Sequence, residues 1–276
     1  MSFNSDSDKE VDVAGQVVLS ELKEGVLWLT LNRPERLNAV SKPMYDLLCQ
    51  LLDEAEANTQ VRAVVLTGAG RAFCVGADMK AHGAGTRTPY ERREYLRGEQ
   101  EVCRRLFNLK KPVISAVNGY ALGAGAELAL AADFMLMRDT AQWGLPETGL
   151  GAFIGGGISW LLPARLGLAK AKELVLLGER LNGLQALAMG LAQRCFTAES
   201  DDAFQQEVQA FALQLASKAP ISLALAIQQL NSAGQRSFDD ALIAELEGMM
   251  FCSTTQDWQE GVDAFAEKRT PKFIGQ

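Results

Sequence analysis

Residues 112–139 read PVISAVNGYALGAGAELALAADFMLMRD, and this stretch narrows the possible folds more than any other. PVISAVNG predicts a strand, GAGAELALAA a helix and DFMLMRD a further strand. Strands alternating with helices make an α/β unit whose strands run parallel. VRAVVLTG (61–68) is a short apolar run ended by glycine, the look of a buried parallel strand. Upstream, VVLSEL (17–22) and VLWLTL (26–31), joined by KEG, predict a β-hairpin. Ser41 followed by Pro43 opens a helix running to about Asn58, with Leu47, Leu48, Leu51 and Leu52 on one face.

Residues 80–90 (KAHGAGTRTPY) read as a Gly- and Thr-rich loop, and the charged segment ERREYLRGEQEVCRRLFNL as a helix. From about Gly155 nearly every segment carries a helical pattern. The expected organisation is a flexible tail over 1–14, an α/β core over 15–198 that carries the site, and a helical region over 199–276.

The chain has 276 residues, 48% of them apolar and 22% charged, ordinary values for a soluble globular protein. A net charge of −7 argues against a nucleic-acid binder, which needs a basic footprint. Five scattered cysteines without C-x-x-C spacing suit a reducing compartment and form neither a disulfide framework nor a zinc site. The acidic start of the chain shows no signal-peptide pattern, and its apolar runs fall short of a membrane span. A cytoplasmic protein is expected.

Catalysis through histidine has little to work with. His82 is the single histidine, it lies in the polar loop, and no G-x-S-x-G elbow accompanies it. No cluster has metal-ligand spacing. Neither GAGRAF (68–73) nor GAGAEL (123–128) meets the strand, G-x-G-x-x-G, helix order of a dinucleotide site.

Carboxylates and backbone amides remain. GRAFCVGADMK (70–80) and GYALGAGAEL (119–128) each bring a strand into small residues, which let the backbone approach a ligand closely. Amides at a helix N-terminus have no intrahelical acceptor, and two such amides meeting at one oxygen would make an oxyanion hole. Tight helix–strand packing accounts for the same small residues. Glu127 lies in the first turn of an apolar helix, where an unpaired carboxylate is costly, although capping of the helix start is an alternative. Glu147, in GLPETG, sits in a Gly-rich turn where an exposed carboxylate would be unremarkable. Together, two carboxylates beside an oxyanion hole would form an acid/base site.

From about residue 17 to 275 the sequence resembles the enoyl-CoA hydratase/isomerase (crotonase) superfamily. The resemblance rests on LNRPERLNAV (31–40), GRAFCVGADMK (70–80), KPVISAVNGYALGAGAELALAAD (111–133), WGLPETGLG (143–151) and EGVDAFAEKRTPKF (260–273). It implies an α/β fold with a crotonase-type ββα spiral core and a helical C-terminal trimerisation region, assembled as a homotrimer or a hexamer of two trimers. It places the oxyanion amides on Ala77 and Ala124, where relatives more often have glycine at the second position. It places the acid/base pair on Glu127 and Glu147, twenty positions apart, with Glu127 assigned to water and Glu147 to the proton. Coenzyme A, part of the substrate, is expected at Arg36 and Leu37, at Val75, Gly76 and Asp78, and at Lys268. No metal or redox cofactor is implied, and no nucleic-acid or membrane partner.

The resulting expectation is an enzyme that hydrates a 2-enoyl-CoA thioester. An isomerase, dehydratase or hydrolase of CoA esters on the same fold is the alternative, and a non-catalytic RNA- or partner-binding relative a remote one. Phe153 and Ile154 are expected to wall the acyl pocket with apolar surface, and Arg87 could meet a carboxylate on the acyl group.

Overall fold

The computed structural model describes residues 16–78 and 88–276. The expected tail, His82 and Arg87 lie outside the described residues. β1 (Val18–Lys23) and β2 (Val26–Leu31) form the hairpin, paired antiparallel, with Glu24 and Gly25 both at positive φ in the turn. α1 (Lys42–Ala57) follows and buries Leu48 and Leu52 together with Met44 and Tyr45.

Three successive units then repeat one design. β3 (Ala63–Gly68) leads to β4 (Ala72–Cys74) and on to α2 (Pro89–Asn108). β5 (Val113–Val117) leads to β6 (Tyr120–Leu122) and α3 (Ala124–Ala131). β7 (Phe134–Arg138) leads to β8 (Gln142–Gly144), a 3₁₀ turn at Glu147–Leu150 and α4 (Ile158–Leu166). The first strand of each unit joins a six-stranded sheet of order β1-β2-β3-β5-β7-β10, and the second joins a four-stranded sheet of order β4-β6-β8-β9. Each unit therefore makes one turn of a ββα spiral between two sheets, with β2-β3-β5-β7 and β4-β6-β8 all parallel.

α2 starts at Pro89, earlier than the loop expected over 80–90 allows, because Thr88 and Glu91 close a capping box around its first turn. After α4 come α5 (Leu168–Leu177), β9 (Arg180–Asn182), α6 (Gly183–Met189) and β10 (Arg194–Phe196). Two strands thus interrupt a region read as helical. Each has only three residues, too few to show a period, and exists through its partner: β9 against β8, β10 against β7.

α7 (Asp201–Ala216), α8 (Pro220–Asn231), α9 (Phe238–Cys252) and α10 (Gln256–Glu267) complete the chain. α7 lays Phe204, Val208 and Ala212 on the outer face of the large sheet, against Val26, Trp28, Val65 and Ile114. Phe and Val side chains contribute about 1.5–3 kcal/mol each when fully buried, so the first helix beyond residue 198 is part of the core's packing. No single helix among the described residues is long and apolar enough to cross a membrane.

α3 is the element that positions the site. All eight of its residues are buried, as an all-round apolar helix must be. Trp143 Nε1 donates to the Ala126 carbonyl at 3.1 Å and Ser115 Oγ to the Ala129 carbonyl at 2.8 Å. Arg165 closes the C-terminal end by donating to the carbonyls of Leu130 and Ala132, which have no acceptor role left within the helix.

Candidate active site

The three parallel strands of the small sheet end side by side, and the chain that leaves each one supplies part of the site. β4 gives Val75, Gly76 and Ala77; β6 gives Gly123 and Ala124; β8 gives Leu145, Pro146 and Glu147. Crevices at the carboxyl ends of parallel strands are where ligands bind in such sheets.

Ala77 forms a parallel bridge with Val40. Val40 N donates to Gly76 O at 2.9 Å and Asp78 N to Val40 O at 3.3 Å. The flanking groups are consumed, so the Ala77 N–H points to the other side. Ala124 is the first residue of α3, where the amide has no intrahelical acceptor. Neither N–H finds an acceptor among the described residues. The residues just before them, Gly76 and Gly123, stand at φ +94° and +56°. A Cβ on Gly76 would stand 2.9 Å from Leu122 O and 3.4 Å from Ala124 N, so glycine brings the two amide segments into contact.

Glu127 and Glu147 flank this point. Glu127 is 2% exposed and Glu147 8%. Glu127 Oε1 accepts from Gly155 N at 2.6 Å, a contact made possible by the Gly155-Gly156-Gly157 run; a Cβ on Gly156 would lie 2.6 Å from Glu127 Cβ. Glu147 Oε1 lies against Gly123, 3.0 Å from where its Cβ would be. In both glutamates Oε2 is buried and has no hydrogen-bond partner. Burial pushes the Glu127 carboxyl up to about 10; the Glu99 carboxyl and the charge of Glu147 act the same way, and the Gly155 N–H opposes them. Burial also raises Glu147, with the charge of Glu99 adding to it. Capping of α3 does not explain Glu127, because its side chain accepts from Gly155 instead of from the first turn.

Two unpartnered amides and two buried carboxyls, each with one unpartnered oxygen, thus stand at the ends of neighbouring strands. An enoyl-CoA hydratase/isomerase family model matches residues 21–276. The chain belongs to the enoyl-CoA hydratase/isomerase family. It is 37% identical to a 1,2-epoxyphenylacetyl-CoA isomerase of Escherichia coli, over 94% of this chain and 99% of that one. It is 34% identical to a short-chain-enoyl-CoA hydratase of Clostridium acetobutylicum, over 90% and 94% of the two chains. Among solved structures, an enoyl-CoA hydratase from Bacillus anthracis superposes with a TM-score of 0.90 at 32% identity, covering 95% of this chain and all of the other.

Within this member of the family, the residues expected at coenzyme A divide into two groups. Arg36 is exposed at the end of a 3₁₀ turn, Pro34–Arg36, and Leu37 follows at φ +52°. Together with Val75 and Gly76 they line one strip, because Val75 N donates to Leu37 O at 3.2 Å. The Asp78 carboxylate is paired with Arg33 at 3.0 Å, a contact that holds this strip together. Lys268 lies apart, exposed at the left-handed C-cap of α10.

Three residues escaped the sequence reading. Asn38 is fully buried at φ +56°; its Nδ2 donates to Ala69 O and Ala72 O, and its Oδ1 accepts from Arg33 N. It fixes the LNRPERLNAV turn against β4, with Arg33 as the second clamp. Glu99, on α2, is 9% exposed and reaches the glutamates. Its signal was its place in the α2 stripe with Val102, Cys103 and Leu106, hidden by the many exposed charges around it. Of the two residues expected at the acyl pocket, Phe153 is 86% exposed among the described residues, whereas Ile154 packs on the core.

Proposed function

We propose that the protein adds water reversibly across the double bond of a 2-enoyl-CoA thioester. The observation that carries this reading is the pair of orphaned Oε2 atoms on Glu127 and Glu147 beside the open amides of Ala77 and Ala124. A buried polar atom without a partner is costly, and a water between the two carboxyls would satisfy both. Addition of that water at the β-carbon places negative charge on the thioester oxygen, where the two N–H groups would stabilise the enolate. One carboxyl must be ionised and the other protonated. Glu127, raised to about 10 mainly by burial, favours carrying the proton in the free pocket, opposite to the assignment drawn from the resemblance. Because the reaction is reversible and the proton exchanges through a shared water, the pair acts as one acid/base unit. The chemistry calls for no metal or redox cofactor, since coenzyme A enters with the substrate.

Turnover of crotonyl-CoA by the purified protein, and its loss in Glu127→Gln and in Glu147→Gln, tests this. Undiminished hydration in either variant overturns the two-acid mechanism. Isomerisation of a CoA ester is the second reading, favoured by the E. coli isomerase relative. It predicts product formation without uptake of solvent oxygen, which hydration in ¹⁸O-labelled water distinguishes.

We further propose that the C-terminal helices assemble copies of the chain. Met249, Phe251, Trp258 and Phe265 are all exposed there, and apolar patches of this kind mark interfaces. Lys268 lies on the same helical region, so assembly would bring it to coenzyme A at a subunit boundary. Sedimentation of the purified protein as a single chain would overturn this.

A further inference from the structure

α2 carries a carboxyl where its register calls for an apolar side chain. Its buried residues are Glu99, Val102, Cys103 and Leu106, the i, i+3, i+4, i+7 row of a helix with one face on the core. Val102, Cys103 and Leu106 join the main hydrophobic cluster. Glu99 stands in the same row and has no cation to compensate it among the described residues. Of the arginines of α2, Arg97 pairs with Glu94, Arg104 with Glu101, and Arg105 with Glu101 and Asp53, while Arg92 and Arg93 are exposed to solvent.

The groups that face Glu99 come from every element packed around it. α1 gives Tyr45, whose hydroxyl is buried without a partner. α2 itself gives Cys103 and, through its edge-on contact with Tyr45, Tyr95. β4 gives Cys74, α3 gives Glu127 and the turn after β8 gives Glu147. All are neutral groups or carboxyls. Burial pushes the Tyr45 hydroxyl and the Cys74 and Cys103 thiols up, so none of them brings a charge.

Glu99 and Glu127 converge on one point. A Cβ on Gly155 would stand 3.0 Å from Glu127 Oε2 and 3.5 Å from Glu99 Oε1. Glu127 Oε1 is already taken by the Gly155 N–H, and Oε2 is the oxygen left without a partner. Two carboxyls facing one point in a site shielded from water resist ionising together, so the charge of one raises the cost of ionising the other. The absence of a side chain at Gly155 is what lets them meet.

We propose that Glu99 is a positioning residue of this pocket, a third carboxyl that faces Glu127 across Gly155 and thereby sets the pH at which the Glu127–Glu147 pair is charged for reaction. The kinetic consequence rests on the hydratase reading; the coupling between the two carboxyls does not. Glu99 touches no reacting atom in this scheme and acts through Glu127. Removing its charge lowers the pH at which Glu127 ionises, so whichever limb of the pH profile Glu127 controls moves to lower pH.

The test is a pH titration of the full chain carrying ¹³C at the glutamate δ-carbons, followed by NMR, with the Glu127 signal identified by its loss in Glu127→Gln. In the wild-type protein that signal titrates well above the ordinary carboxylate range, and in Glu99→Gln its midpoint falls by at least about one pH unit, the shift that a near neighbouring charge produces. Glu99→Asp, which keeps a carboxyl, recovers part of the shift. Should Glu99→Gln fail to fold, Glu99→Leu fills the apolar stripe and reads the same midpoint. The kcat profile for crotonyl-CoA hydration moves in parallel with the Glu127 midpoint, whereas a merely structural role for Glu99 would change rate or stability and leave the profile in place. A Glu127 midpoint unmoved or raised in Glu99→Gln overturns the inference. A wild-type protein without hydratase activity overturns the hydratase reading alone, because the NMR titration needs no turnover.

Discussion

The pocket and the C-terminal helices are unfinished in opposite ways. In the pocket, polar atoms are buried without partners: Oε2 of Glu127, Oε2 of Glu147 and the Tyr45 hydroxyl. On the helices, large apolar side chains stand in the open, with Phe265 88% exposed. Each departs from what a self-sufficient fold does, which is to pair buried polar groups and to cover apolar ones. The contrast with Asp257 makes the point. This carboxylate is also buried, yet it accepts from Ile274 N and Gly275 N, and so clasps the end of the chain to α10. Asp257 is a buried acid whose oxygens are satisfied, whereas Glu127 and Glu147 each keep one oxygen that is not.

The sharpest way to break this contrast is to remove the acids of the pocket. Glu127→Gln and Glu147→Gln should each lower crotonyl-CoA hydration by about 10²–10⁴-fold, the usual contribution of a positioned acid or base, in protein that still folds.

Next in size is the backbone that builds the pocket. Gly125 lies inside α3, where alanine would ordinarily stabilise a helix. Its Cβ would instead meet Cys74 O at 2.1 Å. Gly125→Ala should therefore destabilise by about 1–3 kcal/mol, the usual cost of overpacking, seen as a lower midpoint in urea and reduced turnover.

A smaller effect follows from burial of Glu127. A carboxyl raised in the folded state contributes its stability fully below its unfolded value near 4.5 and loses it as pH rises toward about 10. Glu127→Gln cannot ionise, so relative to wild type its thermal midpoint should rise between pH 5 and pH 9 and gain nothing at pH 4. A midpoint difference that does not change with pH would break the account of a buried, unsatisfied acid.

The smallest effect on the single chain belongs to the helices. Phe265→Asp touches an exposed position and should change the stability of one chain by no more than about 0.5 kcal/mol. Its effect should show in sedimentation, as a smaller assembled mass. If mass is unchanged, the exposed apolar surface is not an interface between copies.

How much of this was legible in the sequence varies by element. The hairpin, α1, β3, β5, α3 and β7 were readable because each is a local pattern: an apolar run, a glycine stop, a helix opening. Glu127 stood out because its neighbours are alanine and leucine. Glu99 did not, because its helix is full of exposed charges and only the register separates one inward carboxyl from the rest. β9 and β10 were invisible, being three residues each and held by partners distant in the chain. Asn38 stands within the LNRPERLNAV motif, but its role as a clamp depends on carbonyls of Ala69 and Ala72 over thirty residues away.

The sequence by itself determined the α/β alternation, the family and the residues that could carry acid/base chemistry, because periodicity, glycine stops and motif order are properties of neighbours along the chain. Only the tertiary structure decided that the Gly76 and Ala124 backbones come into contact, that two glutamates are left with unpartnered oxygens, and that Glu99 faces Glu127 over Gly155. Those are facts of burial and of contact between distant segments, and the free energy of a charge depends on both.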